Sequence, residues 1–224
     1  MDSFLSILRP ARLMTAASAL LLCACAAPVR QQIDYTAFRE SQPRSILVLP
    51  PINQSPEINA PASFLATATR PLAESGYYVI PVTLSTETFR QNGVTVSEEA
   101  HAIELGKLRE IFGADAALYI TITRFGTSYR LVDSVVEAVA SAKLIDLRSG
   151  QELWSGQAAV ALGSNNNSGG GLVGMLVSAV VNQIINTVAD KSFDAARMAG
   201  SQMLSAGRPN GILFGPYHPK FGTD

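Results

Sequence analysis

The sequence predicts an α/β domain: a mixed sheet with an antiparallel three-strand meander, covered by helices. Three observations predict it. The run SILVLP at 45–50 is short and continuously apolar, the signature of a strand buried on both faces. Residues 131–146 alternate, with Val132, Ser134, Val136, Ala138, Ala140 and Ala142 on one side, so that strand has distinct faces. Strand and helix signals then follow the order β-α-β-α-β-β-β-α, which calls for a sheet with helices packed on it.

At the start, Arg9 and Arg12 precede an apolar run at 13–22. Ten residues are too few to span a bilayer, which needs about 20, but they suit the centre of a cleaved signal. The tetrapeptide LCAC at 22–25 resembles the lipobox of bacterial lipoproteins, with Cys25 as the modified residue. The Cys25 thiol would accept diacylglycerol, and the amino group freed by cleavage would accept a further acyl chain. Each buried CH₂ contributes about 0.8 kcal/mol, and two chains anchor stably. Ala26 rather than Asp follows. By resemblance to lipoprotein sorting this places the chain on the outer membrane, on the periplasmic side, with surface exposure also open. The expected organisation is a signal peptide at 1–24, a lipid-anchored tether at 25–42, one α/β domain at 43–206 and an irregular tail at 207–224.

Within the domain, Pro50 and Pro51 end the first strand and 53–61 reads as a loop. Residues 60–75 predict a helix closed by Gly76, which Pro71 would kink or shorten. Residues 77–83 predict a strand that Pro81 relegates to an edge or an end. Helical stretches follow at 83–93 and 97–112, with Ser97 as an N-cap. Residues 116–124 predict a strand with Leu118, Ile120 and Ile122 on one face. Asp146 to Gly150 is a hairpin turn, with Gly where φ > 0 is needed, and 151–162 returns. The Asn/Gly-rich stretch at 163–171 is a loop, and 172–204 is one long helix or two in series.

The stretches PRSILVLPP at 43–51, LREIFGADAALYI at 108–120 and AKLIDLRSGQELW at 142–154 resemble a family of proteobacterial lipoproteins of unknown function. One neisserial member is known as a surface-antigen vaccine candidate. The resemblance covers nearly all of the mature chain. It implies a fold similar to the N-terminal domain of TolB, an envelope accessory role in a transport or secretion assembly, and dimers. Curli-secretion lipoproteins share the strand, Asp-x-x-x-Gly turn, strand pattern. The resemblance supplies no catalytic residues.

Composition excludes some chemistry. Charged residues are 16% of the chain and the net charge is −1, so few nucleic-acid phosphates could be neutralised. Both cysteines lie at the end of the leader, leaving no intramolecular disulfide and no thiolate metal site. His101 and His218 are the only histidines, and no Gly-x-Ser-x-Gly elbow exists. A solvated helix position suits His101 better than a metal site with Glu98, Glu99 and Glu104. A flexible loop suits the glycines at 169–171 better than an anion cradle, since no P-loop Lys follows. No cofactor, metal or small-molecule substrate is expected.

The helix at 172–188 is the most informative segment. Val173, Val177, Val180, Ile184 and Val188 form a broad apolar arc, and Ser178, Asn182, Asn186 and Asp190 a narrow polar stripe. One sheet face covers only part of such an arc. The remainder needs the domain itself, a subunit or partner, or lipid. The amides of Asn182, Gln183 and Asn186 argue against lipid. The arc is the candidate interface of a non-enzymatic binding or scaffold module, with a second copy or other envelope proteins as partners. A curli-type secretion pore component and a small-ligand binder or hydrolase are the alternatives.

Overall fold

A computed structural model describes residues 33–129, 134–163 and 188–224. Twelve elements occur in these residues. They are α1 (Thr36–Ser41), β1 (Ser45–Val48), β2 (Ile52–Asn53), α2 (Ala60–Glu74), β3 (Tyr78–Val79), α3 (Val82–Gln91), α4 (Ser97–His101), α5 (Leu105–Phe112), β4 (Ala116–Tyr129), β5 (Ser134–Asp146), β6 (Glu152–Gly163) and α6 (Val188–Leu204). The six strands form one mixed sheet in the order β3-β1-β4-β5-β6, with β2 paired to β4 beyond the end of β1.

β1 is parallel to β3 and β4. Its position between two partners explains its unbroken apolar sequence: Ile46 and Val48 face one core cluster, Leu47 and Leu49 the other. Asp115 sets the start of this pairing. Its carboxylate accepts from the backbone N–H groups of Arg44 (2.9 Å) and Ser45 (3.2 Å). The Ser45 hydroxyl in turn accepts from the Asp115 N–H at 3.0 Å.

β4, β5 and β6 form the expected antiparallel meander. Its inner face presents Val136, Ala138, Ala140 and Ala142 from β5 and is covered by α6 and α2. Ala195, Ala196 and Ala199 of α6 are fully buried. Small residues on both sides bring helix and sheet close together. A register shift beside Ile145 turns both Leu153 and Trp154 of β6 inward. The Trp154 ring lies across Gly156, where a Cβ would come within 2.2 Å of it.

Described helices cover the second face only in part. α3, α4 and α5 pack Phe89, Ala100 and Leu108 against Leu47, Leu49 and Ala117. Their cover ends where His101 meets Tyr119.

Several local expectations need correction. Pro71 lies inside α2 without ending it. The third strand has two residues instead of seven, because Pro81 starts α3. The stretch 97–112 is two helices, and Val96 rather than Ser97 is the N-cap of the first. Residues 36–41, read as tether, form α1, which buries Phe38 in the main core. The tail has no helix or strand but is tied in by hydrogen bonds. The hydroxyls of Tyr35 and Tyr77 donate to the carbonyls of Gly211 and Leu213, and Trp154 Nε1 donates to that of Asn210. Gly215 N–H donates to Ser75 O at 2.8 Å, which presses Gly215 against Gly76. A Cβ on Gly215 would lie 2.3 Å from Gly76 O.

Candidate functional site

Of the residues singled out by sequence, Cys25, Val173, Val177, Val180 and Ile184 lie outside the described residues. Val188 is the first residue of α6. The described fold itself builds two surfaces: the corner where α1 enters the domain, and the side of the sheet without a described helix.

The entry corner is organised by Asp146. This residue ends β5, is 3% exposed, and opens the hairpin turn. Burial alone would raise its pKa. The Ser41 hydroxyl, the N–H groups of Ser149 (2.9 Å) and Arg148 (2.7 Å), and the Arg148 charge outweigh burial and hold the carboxyl below the ordinary aspartate range. Arg148 also donates to Ser41 O at 2.8 Å. Gly150 takes the left-handed conformation the turn requires, with φ 74°. Ser41 is the last residue of α1, so this clamp fastens the first helix of the domain to the meander. Sequence reasoning found the turn but not the clamp, because Ser41 and Asp146 are 105 positions apart.

His101 corrects an expectation. It is half-buried rather than solvated, with Nε2 3.0 Å from the Pro50 carbonyl and its ring edge-on to Tyr119 at 5.0 Å. Burial lowers its pKa, against the pull of the Pro50 hydrogen bond and the Glu98 charge. Its contacts close the gap between α4 and the sheet, which is a packing role. His218 stacks on Phe214, with ring centroids 4.2 Å apart, and accepts the Lys220 N–H on Nδ1. Among the described residues no group of three His, Cys, Asp or Glu side chains is arranged to hold a metal ion. No described helix is long and apolar enough to cross a membrane.

Past Tyr119 the outer face of the meander carries no described helix. Thr121, Ser141 and Gln157 form one row across three strands; Val139 with Ala159, and Glu137 with Ala161, form the next two. Ser141, Gln157, Ala159 and Ala161 are exposed. Arg124 reaches Glu137 at 3.8 Å, and Lys143 reaches Glu152 at 3.5 Å, along the borders of this face. Beside it runs the outer edge of β6, which pairs with no strand among the described residues. Between Leu153 and Gly163 this strand has no charged residue and no proline, the usual blunting devices of an edge.

The family described as "Putative lipoprotein GNA1162-like" matches residues 33–217. The chain belongs to that family. A GNA1162-like relative, "Putative lipoprotein NMB1124/NMB1162" of Neisseria meningitidis serogroup B, is 50% identical over 200 residues, 89% of this chain and 93% of the relative. The crystal structure of lipoprotein GNA1162 from Neisseria meningitidis matches with a TM-score of 0.54 and 55% identity, covering 65% of this chain and 100% of that one. The C-terminal domain of LpoB from Escherichia coli is a more distant likeness, with a TM-score of 0.39 and 16% identity over 54% of this chain and 85% of that domain. The family and this relative are both described as lipoproteins, a description that suggests envelope association, and the described residues of this chain form a mixed α/β domain.

Proposed function

We propose that this GNA1162-like chain is a non-enzymatic binding module. It is held by lipid on Cys25 at the periplasmic side of the outer membrane, where it joins other envelope proteins or a second copy in a transport or secretion assembly. The observation that carries this reading is the sheet face without a described helix, beside the edge of β6 that pairs with no described strand. A flat row of Thr, Ser, Gln and Ala costs little to desolvate, and an unpaired edge offers backbone groups for strand addition. The apolar arc of Val173, Val177, Val180, Ile184 and Val188 is a second proposed contact, lying just before and at the start of α6 in sequence. Short strand addition with a polar face suits assemblies that form and come apart.

The test is a photoreactive residue at Gln157 in intact cells, compared with one at Leu84, which is 61% exposed on the other side of β1. Gln157 should give discrete adducts with envelope proteins or with a second copy, and Leu84 few. No adduct at Gln157, or equal yields at both sites, would sink the reading.

A further inference from the structure

The tail of this domain carries exposed aromatic residues at the corner where the lipid tether enters. Tyr217 is 67% and Phe221 42% exposed. Such rings favour the headgroup level of a bilayer. Phe221 does not stand alone: with Phe38 and Arg39 of α1, Tyr77 and Phe214 it lines a cavity of about 180 Å³. The rings are presented by a fixed loop. His218 N–H donates to Gly215 O, Phe221 N–H to His218 O and Thr223 N–H to Lys220 O, in consecutive turns. Lys220 Nζ sits 5.9 Å from the centre of the Phe214 ring.

Tether length decides what this corner faces. Only eight peptide steps separate Cys25 from Ile33, a reach of about 28 Å even if fully extended. A domain of this size has a radius of gyration of about 16 Å and so measures about 40 Å across. The tether is therefore shorter than the domain, and the domain cannot turn over freely above the membrane. The entry corner, where the tail is tied to α1 through Arg39 and Asp224, stays within about 28 Å of the lipid surface and off the far side of the domain.

We infer that the tail loop, through Phe221 and Tyr217, docks on the headgroup layer of the leaflet that holds the lipid anchor. The occupant is the lipid surface. The corner has no excess of positive charge: Arg39 and Lys220 stand against the three carboxylates of Asp34, Glu40 and Asp224, and Arg39 donates to Asp224 O at 3.1 Å. The rings, not anionic lipid, therefore drive the contact, and it persists in zwitterionic membranes. This orients the open sheet face and the β6 edge for partners. The inference rests on the Cys25 anchor proposed above.

The test uses the full lipidated protein in phosphatidylcholine vesicles whose acyl chains are brominated. Three variants each add one tryptophan to the buried Trp154: F221W, Y217W and L84W. The added fluorescence should be quenched about threefold more strongly at 221 and 217 than at 84, as interfacial burial requires. Equal quenching at all three sites overturns the inference. The mass of the mature N-terminal peptide separates the two ways of failing. Acylated Cys25 with equal quenching sinks the docking alone, whereas an unacylated peptide sinks the anchor and the docking together.

Discussion

At the scale of single residues, Asp146 and the Gly76–Gly215 contact hold the ends of the domain to its middle. An acidic group whose folded pKa is depressed adds stability that is present above its unfolded value and fades as pH falls through the folded one. For Asp146, with an ordinary value of 3.8, the loss begins below about pH 4. Asp146→Asn keeps the shape but not the charge. It should lower unfolding free energy by about 1–3 kcal/mol at neutral pH and flatten the acid limb of the stability profile, both read from urea titrations at a series of pH values. An unchanged acid limb would show that the clamp carries no electrostatic stabilisation. Gly215→Ala tests the second contact. Its methyl group would collide with Gly76 O, a backbone atom that cannot rotate away, so a cost of about 2–4 kcal/mol is expected in the same titration. A surface-like change under 0.5 kcal/mol would mean that the tail shifts freely.

At the scale of elements, the helix-to-sheet contact is set by alanines. Ala199→Leu should push α6 off Ala138 and Ala140 and destabilise by about 1–3 kcal/mol, with lost near-ultraviolet dichroism if Trp154 moves as well. Elements with their own periodicity were legible in the sequence. β1 reads as buried because both neighbours in the sheet are parallel strands, and β5 reads as a strand because only its inner face is covered throughout. β2 and β3 have two residues each, too few for any period, and exist because β4 and β1 supply their partners. α1 was read as tether because six residues form no stable helix alone; Phe38 and the Ser41 clamp supply the missing stabilisation. The break between α4 and α5 is invisible in the sequence because nothing at Ala102 or Ile103 resembles a helix terminator. The sequence points His101 to solvent for a related reason: its own helix looks polar, and the groups that cover it come from elsewhere, Pro50 from the link between β1 and β2 and Tyr119 from β4.

At the scale of the whole molecule, attachment and orientation are separable. Cys25→Ala should move the chain from the membrane fraction to the soluble one without altering its melting temperature, since the domain's described contacts begin at Ile33. Retention of the variant in membranes, with labelled fatty acid still incorporated, would refute lipidation at that thiol. The lipobox-like tetrapeptide at 22–25 is readable in the sequence because the motif it resembles is local. The surfaces proposed for partners and lipid were not, because the rows across β4, β5 and β6 and the corner shared by α1 and the tail exist only after distant segments meet. The hydrogen bonds from Tyr35, Tyr77 and Trp154 to the carbonyls of 210–213 have a kinetic corollary. A ribosome makes the donors at 35, 77 and 154 before the acceptors at 210–213. A nascent chain therefore cannot make these three bonds until residues 210–213 have emerged, so that side of the core closes late.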